Sequence, residues 1–337
     1  MFFPLSRLAQ APAKLAKGAR AAVSNYNPDL NRRENPSMTD NKKPRLFRPT
    51  RESFKPKALL KEFVKIYVFY MFLSMLILMG LKDKLVLFPM KNTEWRNYLG
   101  DVDKNLPTKT REIKFKADNG KTLDGFYIKN NNPTAKLVLV CHGNAGSVAD
   151  RIPLAAHLAA AGASALVFDY EGYGDSEGEA KMGRLIPDAI SAFDYAKNEL
   201  GYKAEDIILY GESIGCGVAT GTMQKRTPKA IILQSPFVSL MKTARDKLFF
   251  LYTLPDIVIV EPQLNNLAAV IKEHPPLLLM HGEDDKTLPC RYSKELYEKA
   301  LEPKQLVLIP KVDHNDMYVG TNQLVLKTLK DFIAGLH

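Results

Sequence analysis

Asp206-Ile207-Ile208-Leu209-Tyr210-Gly211-Glu212-Ser213-Ile214-Gly215-Cys216-Gly217-Val218-Ala219 decides the fold of this 337-residue chain. A short apolar run bounded by a glycine reads as a strand buried on both faces, and the small-residue stretch after Ser213 reads as a helix packed close behind it. Between them lies Gly-x-Ser-x-Gly, the spacing that exposes a serine on a sharp strand-to-helix turn. Glycine at the flanking positions removes the Cβ atoms that would strike the neighbouring strand and helix. The same spacing recurs at Gly174-Asp175-Ser176-Glu177-Gly178, but Ser176 lies in the polar loop 170–181, several residues past its strand, and reads as structural.

Apolar strand-length runs on either side of this turn alternate with helix-length stretches. The runs are Leu137–Cys141, Ala163–Phe168, Ala230–Leu233, Pro276–Met280 and Leu306–Ile309. The helical stretches are Ala149–Ala161, Arg184–Glu199, Ile214–Lys225, Tyr292–Ala300 and Asn322–Ala334. Asn119-Gly120 joins Arg111–Asp118 to Thr122–Lys129 as a hairpin leading into the sheet. The expectation is an α/β fold with an eight-stranded, mostly parallel sheet and helices on both faces. The interval from Phe237 to Pro275 is too short for a large lid. It contains Leu248-Phe249-Phe250-Leu251-Tyr252-Thr253-Leu254, either core helix or an apolar wall for an acyl chain.

In such sheets reactive groups collect beyond the carboxyl ends of the strands. A serine hydroxyl needs a base, itself oriented by an acid, and in this architecture acid and base follow the serine in chain order. His281-Gly282-Glu283-Asp284-Asp285-Lys286 follows one strand and Val312-Asp313-His314-Asn315-Asp316 the next, so His314 is the expected base. Asp284 and Asp285 are adjacent and point in different directions; spacing leaves the acid open between them. His157 and His274 read as structural, and His142 and His281 end strands where an imidazole bonds to backbone. The loop His142-Gly143-Asn144-Ala145-Gly146-Ser147 suits an oxyanion hole, and it lacks the Lys-Ser/Thr ending of a phosphate loop and the spacing of a dinucleotide fingerprint. Cys141, Cys216 and Cys290 are far apart and no histidine cluster has metal-ligand spacing, so no disulfide framework, metal site or cofactor is expected.

The net charge of +10 sits at the front: residues 1–57 hold thirteen Lys or Arg against four acids. The remainder is near neutral, which argues against a nucleic-acid-binding catalytic domain and for a basic tail beside a membrane. This tail is too polar to bury a core and is expected to be disordered. Its acid-free start, Met1 to Val23, has the composition of an organelle transit peptide or of a solvated tail, and a start at Met38 is conceivable. Residues 63–81, FVKIYVFYMFLSMLILMGL, carry one charge, Lys65, near the entrance. A span needs about 20 apolar residues with a lower limit of about 17, so one transmembrane helix is expected here, with a buried or interfacial helix as the alternative. Basic residues crowd its N-terminal side, which puts the tail in the cytosol and the domain from 105 to 337 on the non-cytosolic side of the membrane, an organelle membrane being the alternative.

Taken together, Cys141 to Gly146, Phe168-Asp169-Tyr170-Glu171-Gly172-Tyr173-Gly174, Gly211 to Gly215 and Val312 to Asp316 resemble the membrane-anchored α/β-hydrolase-domain serine hydrolases. That family includes lysophosphatidylserine lipases, monoacylglycerol-type lipases and protein depalmitoylases. The resemblance covers about residues 110 to 335. It implies a Ser213-His314-Asp285 triad, with Asp285 preferred over Asp284, and backbone N–H groups of Asn144 and Ile214 as the oxyanion hole. It further implies an ester of a lipid or long-chain acyl group as substrate; a protein or acyl-CoA thioesterase is the alternative activity, and an inactive membrane-tethered interaction protein the alternative class. Glu212 and Asp313 depart from the family pattern and add negative charge beside the site.

Overall fold

A computed structural model describes residues 56–91, 96–106, 108–253, 264–319 and 322–336. The basic tail, apart from its last two residues, lies outside them. The described residues divide into two units, one holding 56–73 and the other those from 74 onwards.

In the first unit, helix α1 begins at Pro56, and it runs on to Val86, longer at both ends than the apolar segment read from sequence. Phe63, Ile66, Phe69 and Phe72 are exposed along it. Among the described residues no single helix is long and apolar enough to cross a membrane; Pro56–Leu76 and Gly80–Val86 are so only together, as a pair bent by 58°.

In the second unit, β1 (Phe88–Pro89) and α2 (Arg96–Asn105) precede the hairpin β2 (Thr108–Lys116) and β3 (Thr122–Asn130). Then come β4 (Leu137–Cys141), β5 (Ala145–Gly146), α3 (Ile152–Ala160), β6 (Ser164–Phe168), α4 (Leu185–Asn198), β7 (Ile207–Glu212) and α5 (Ile214–Met223). The chain closes with β8 (Ala230–Gln234), α6 (Leu240–Lys247), α7 (Asn266–Val270), β9 (Leu277–Gly282), α8 (Arg291–Lys299), β10 (Lys304–Ile309) and α9 (Gln323–Ala334).

The eight-stranded sheet has the order β10-β9-β8-β7-β4-β6-β3-β2, antiparallel only where β3 meets β2 and β6. Leu137–Cys141 and Ser164–Phe168 are buried at every position, as central strands covered by helices on both faces must be. Two apolar layers flank the sheet. On one side Leu139, Leu209 and Leu233 pack with Phe193 of α4 and Val218 of α5; on the other Val138, Val140 and Ile232 pack with Leu158 of α3 and Leu329 of α9.

The eight strands read from sequence are all present, with Leu137–Cys141 as read and no end displaced by more than three residues. Helix α3 is preceded by a 3-10 turn, Val148–Arg151, capped by Ser147 and Asp150. Not read from sequence were α2, α6, α7 and the two-residue β1 and β5. Helix α6, Leu-Met-Lys-Thr-Ala-Arg-Asp-Lys, has too few apolar residues for a periodic signal; its start is fixed by Ser239, whose side chain accepts from the Lys242 N–H. Leu87 and Val102, ahead of the expected boundary at 105, are buried in the two apolar layers.

Strand β4 pairs with both β6 and β7, so chain direction along the sheet reverses there. The loops leaving β4 and β7 diverge at this switch point, where open sheets of this kind form their clefts.

Candidate active site

Cys141 at the end of β4 is paired with Gly211 near the end of β7, so the loop beginning at His142 and the turn at Ser213 emerge side by side. The turn is as tight as its sequence implies. Ser213 has φ 55° and ψ −115°, a left-handed conformation rarely held by a residue with a Cβ. Its N–H is anchored on the Gln234 carbonyl at 3.0 Å. A Cβ at Gly215 would lie 2.0 Å from the Cys141 carbonyl oxygen, and one at Gly211 2.5 Å from the Cys216 Cα, so both positions exclude a side chain.

The turn presents Ser213 Oγ to His314 Nε2 at 3.1 Å, while His314 Nδ1 meets Asp285 Oδ2 at 2.6 Å. Asp285 is buried and Asp284 exposed. The turn after β9 makes this choice: the Asp285 N–H bonds back to the Gly282 carbonyl and the Asp284 N–H to Val312, so only Asp285 faces inward. The other oxygen of Asp285 accepts from the N–H groups of Thr287 at 2.9 Å and Leu288 at 2.7 Å. Burial raises the pKa of this carboxyl, but hydrogen bonds from His281, His314 and Leu288 outweigh it and hold the group well below the usual carboxylate range.

His281 was expected to bond to backbone, and its Nε2 lies 2.8 Å from the Leu288 carbonyl. It also lies 3.2 Å from Asp285 Oδ2, a link to the acid that the sequence does not disclose. Asp313 acts as a staple rather than a loose charge: one oxygen accepts from the Lys286 N–H at 3.0 Å and from the His314 N–H at 2.7 Å, tying the loop of Asp285 to the loop of His314.

Glu212 corrects the sequence reading most. Its carboxylate accepts from Arg151 Nε at 2.9 Å and Nη2 at 3.0 Å, a parallel two-bond pair that balances the charge expected beside the site. The same guanidinium donates through Nη1 to the carbonyls of Ala145 at 2.9 Å and Ser147 at 3.3 Å. Arg151 therefore joins the Ser213 turn to the loop opposite, across 61 residues of sequence. No spacing pattern could have revealed that.

Asn144 is half-buried in this loop, its carbonyl held by the Tyr173 hydroxyl at 2.8 Å. The Ile214 N–H belongs to the first turn of α5, where no intrahelical acceptor exists. His142 is fully buried, its Nδ1 at 2.7 Å from the Gly143 carbonyl; burial drives its pKa far down. The second Gly-x-Ser-x-Gly serine is outside the cleft: Ser176 Oγ donates to the Asp169 carbonyl at 2.7 Å and accepts from the Asp124 N–H at 2.9 Å. Cys141, Cys216 and Cys290 are free thiols.

A mostly parallel eight-stranded sheet in this order, with a serine at positive φ on the turn into the helix behind it, defines an α/β hydrolase. Residues 132–268 match the family described as serine aminopeptidase, S33, and the chain belongs to that α/β-hydrolase family. An uncharacterised protein of Mycobacterium tuberculosis is 32% identical over 225 residues, 66% of this chain and 79% of that one. Protein ABHD12B of Homo sapiens is 31% identical over 61% of this chain and 62% of its own length. The lysophosphatidylserine lipase ABHD12 of Danio rerio is 29% identical over 54% of this chain and 51% of its own. Among solved structures, the Pyrococcus furiosus esterase Pf2001 superposes with a TM-score of 0.57 at 19% identity, covering 74% of this chain and 97% of that one, a likeness of fold.

Proposed function

We propose that this chain is a serine hydrolase that cleaves a carboxylic ester of a lipid or long-chain acyl group. The observation that carries the reading is the continuous chain of contacts from Ser213 Oγ through the His314 ring to the buried Asp285, starting from a serine held at φ 55°.

In this mechanism Ser213 Oγ attacks the ester carbonyl as His314 Nε2 takes its proton, and Asp285 stabilises the imidazolium and fixes which nitrogen carries hydrogen. The carbonyl oxygen becomes an oxyanion between the N–H groups of Asn144 and Ile214. Collapse breaks the bond to the leaving oxygen, which receives the proton from His314. Water, deprotonated by the same imidazole, then attacks the acyl-Ser213 ester and releases the acid. Donors fixed in place before reaction are worth about 10²–10³ in kcat each, because they need no reorganisation as charge develops.

A long-chain substrate is supported by the apolar surface just after α6, where Leu248 and, in the following 3-10 turn, Phe249, Phe250 and Tyr252 are exposed, Phe249 at 83%. The likeness to a lysophosphatidylserine lipase points the same way. The outward-facing phenylalanines of α1 support a membrane tether, with the domain after it on the non-cytosolic side.

The test is fluorophosphonate labelling of the full chain in detergent beside Ser213→Ala, followed by hydrolysis of monoacylglycerols and lysophospholipids of increasing acyl length. Labelling lost in the variant and a preference for long acyl chains is the expected result. A folded wild-type protein that does not label refutes the nucleophile, and a preference for acetyl esters refutes the substrate class. Digestion of the C-terminal domain by protease in sealed vesicles without detergent refutes the topology.

A further inference from the structure

The short segment that follows α1 is bound to the loop that carries Asn144. The Phe88 N–H donates to the Asn144 carbonyl at 2.8 Å and the Met90 N–H to the Gly146 carbonyl at 3.1 Å, a two-residue parallel pairing of β1 with β5. The Asn144 side-chain amide donates back to the Val86 carbonyl at 2.8 Å. The Met90 carbonyl in turn accepts from the Gly174 N–H at 3.1 Å, so the segment also reaches the loop after β6. Leu87 is 4% exposed and packs in the apolar layer, whereas the side chains of Phe88 and Met90 face outward. At the near end, the Asp83 carboxylate accepts from the Met182 N–H at 2.8 Å.

We propose that Val86–Met90 is a positioning element of the active site: its backbone holds the Asn144 peptide at the height and tilt at which its N–H meets the developing oxyanion. This rests on the reading of Ser213, Asn144 and Ile214 given above. The physical reason is that the carbonyls of Asn144 and Gly146 need donors, and the segment supplies both from one short strand. Arg151 holds the same loop through the carbonyls of Ala145 and Ser147. A loop of small residues held from one side only is free to tilt, and a displacement of about 1 Å at a catalytic donor costs on the order of 10²-fold in rate. The exposed side chains of Phe88 and Met90 explain why the pairing is invisible in the sequence: the bonds these two residues make to the loop come from backbone N–H groups. The segment also follows directly on α1, so the residues that leave that helix are the ones that pair with the Asn144 loop.

The experiment compares Phe88→Pro, which deletes the donor to Asn144, with Phe88→Ala, which keeps it, in the full chain in detergent. Expected for Phe88→Pro relative to Phe88→Ala is a kcat at least tenfold lower with KM within about twofold, and a fluorophosphonate labelling rate reduced to a similar degree. Asn144→Ala removes the bond to Val86 and keeps every backbone donor, so it covers the case in which Phe88→Pro does not fold; its kcat falls in the same manner, with the melting temperature changed little. Equal kcat in both Phe88 variants, or wild-type kcat in Asn144→Ala, overturns the proposal. Failure of the underlying reading is separable: wild-type protein would then resist fluorophosphonate altogether.

Discussion

Breaking the pair between Arg151 and Glu212 should cost more stability than its place beside the cleft suggests. Arg151 is only 7% exposed, and the Glu212 side chain is 21% exposed. At about 4 Å and an effective dielectric near 20 the bare attraction is about 4 kcal/mol, partly cancelled by the cost of taking both groups out of water. Hydrogen bonds to charged groups contribute about 1.5–3 kcal/mol net, and here two are made in parallel. Glu212→Ala leaves the guanidinium facing the loop carbonyls with only Asp150, 3.6 Å from Nη1, as a nearby anion, and should destabilise by about 2–3 kcal/mol. Arg151→Ala should cost about 1 kcal/mol more, because the bonds to Ala145 and Ser147 go as well. The double variant should cost less than the two single ones together, with a coupling of about 2 kcal/mol. Guanidinium denaturation followed by far-UV circular dichroism gives all four corners of the cycle. A coupling below about 0.5 kcal/mol refutes the reasoning, because two groups that do not feel each other cannot be bracing the turn against the loop.

Ser213→Gly should abolish labelling yet stabilise the fold by about 1 kcal/mol, because relief of the strain at φ 55° exceeds the extra freedom glycine gives the unfolded chain; a lower melting temperature than wild type counts against strain. Gly215→Ala should give little soluble protein, since its Cβ would lie 2.0 Å from the Cys141 carbonyl; wild-type expression and activity would show that the strand and helix can part. Asp285→Asn should reduce kcat by about 10⁴ through the wrong imidazole tautomer, and a loss below about tenfold would remove Asp285 from the mechanism. The same variant gives a pH test. A carboxylate whose pKa is depressed on folding contributes stability that is full above its unfolded value, about 3.9, and fades as pH falls towards the folded one. The stability difference between wild type and Asp285→Asn should therefore be largest at neutral pH and shrink below about pH 4; a difference that grows on acidification contradicts the depressed pKa.

Much of this was legible because the signals are local. Residues 137–141 and 207–210 are apolar at every position, and so short a run bounded by turn residues reads as a strand covered on both faces. Gly211 and Gly215 mark a turn that no other residue could make at those two distances. His314 follows from chain order, since it is the only histidine beyond the acid loop apart from the chain end. Helices α6 and α7 were not legible, being short and lacking a sustained apolar period.

What the sequence by itself determined is the order of strands and helices along the chain, the serine at the turn, and the two loops from which an acid and a base could come. Only the tertiary structure decided which neighbouring aspartate faces His314, because that depends on backbone bonds from Asp284 and Asp285 to Val312 and Gly282. It alone gave Glu212 a partner in Arg151 and Asp313 a role between two loops, and it alone bound Phe88 and Met90 to the Asn144 loop. Those bonds join residues far apart in the chain, several through backbone groups that every residue shares, and a hydrogen bond that any residue can make leaves no mark on which residue is there.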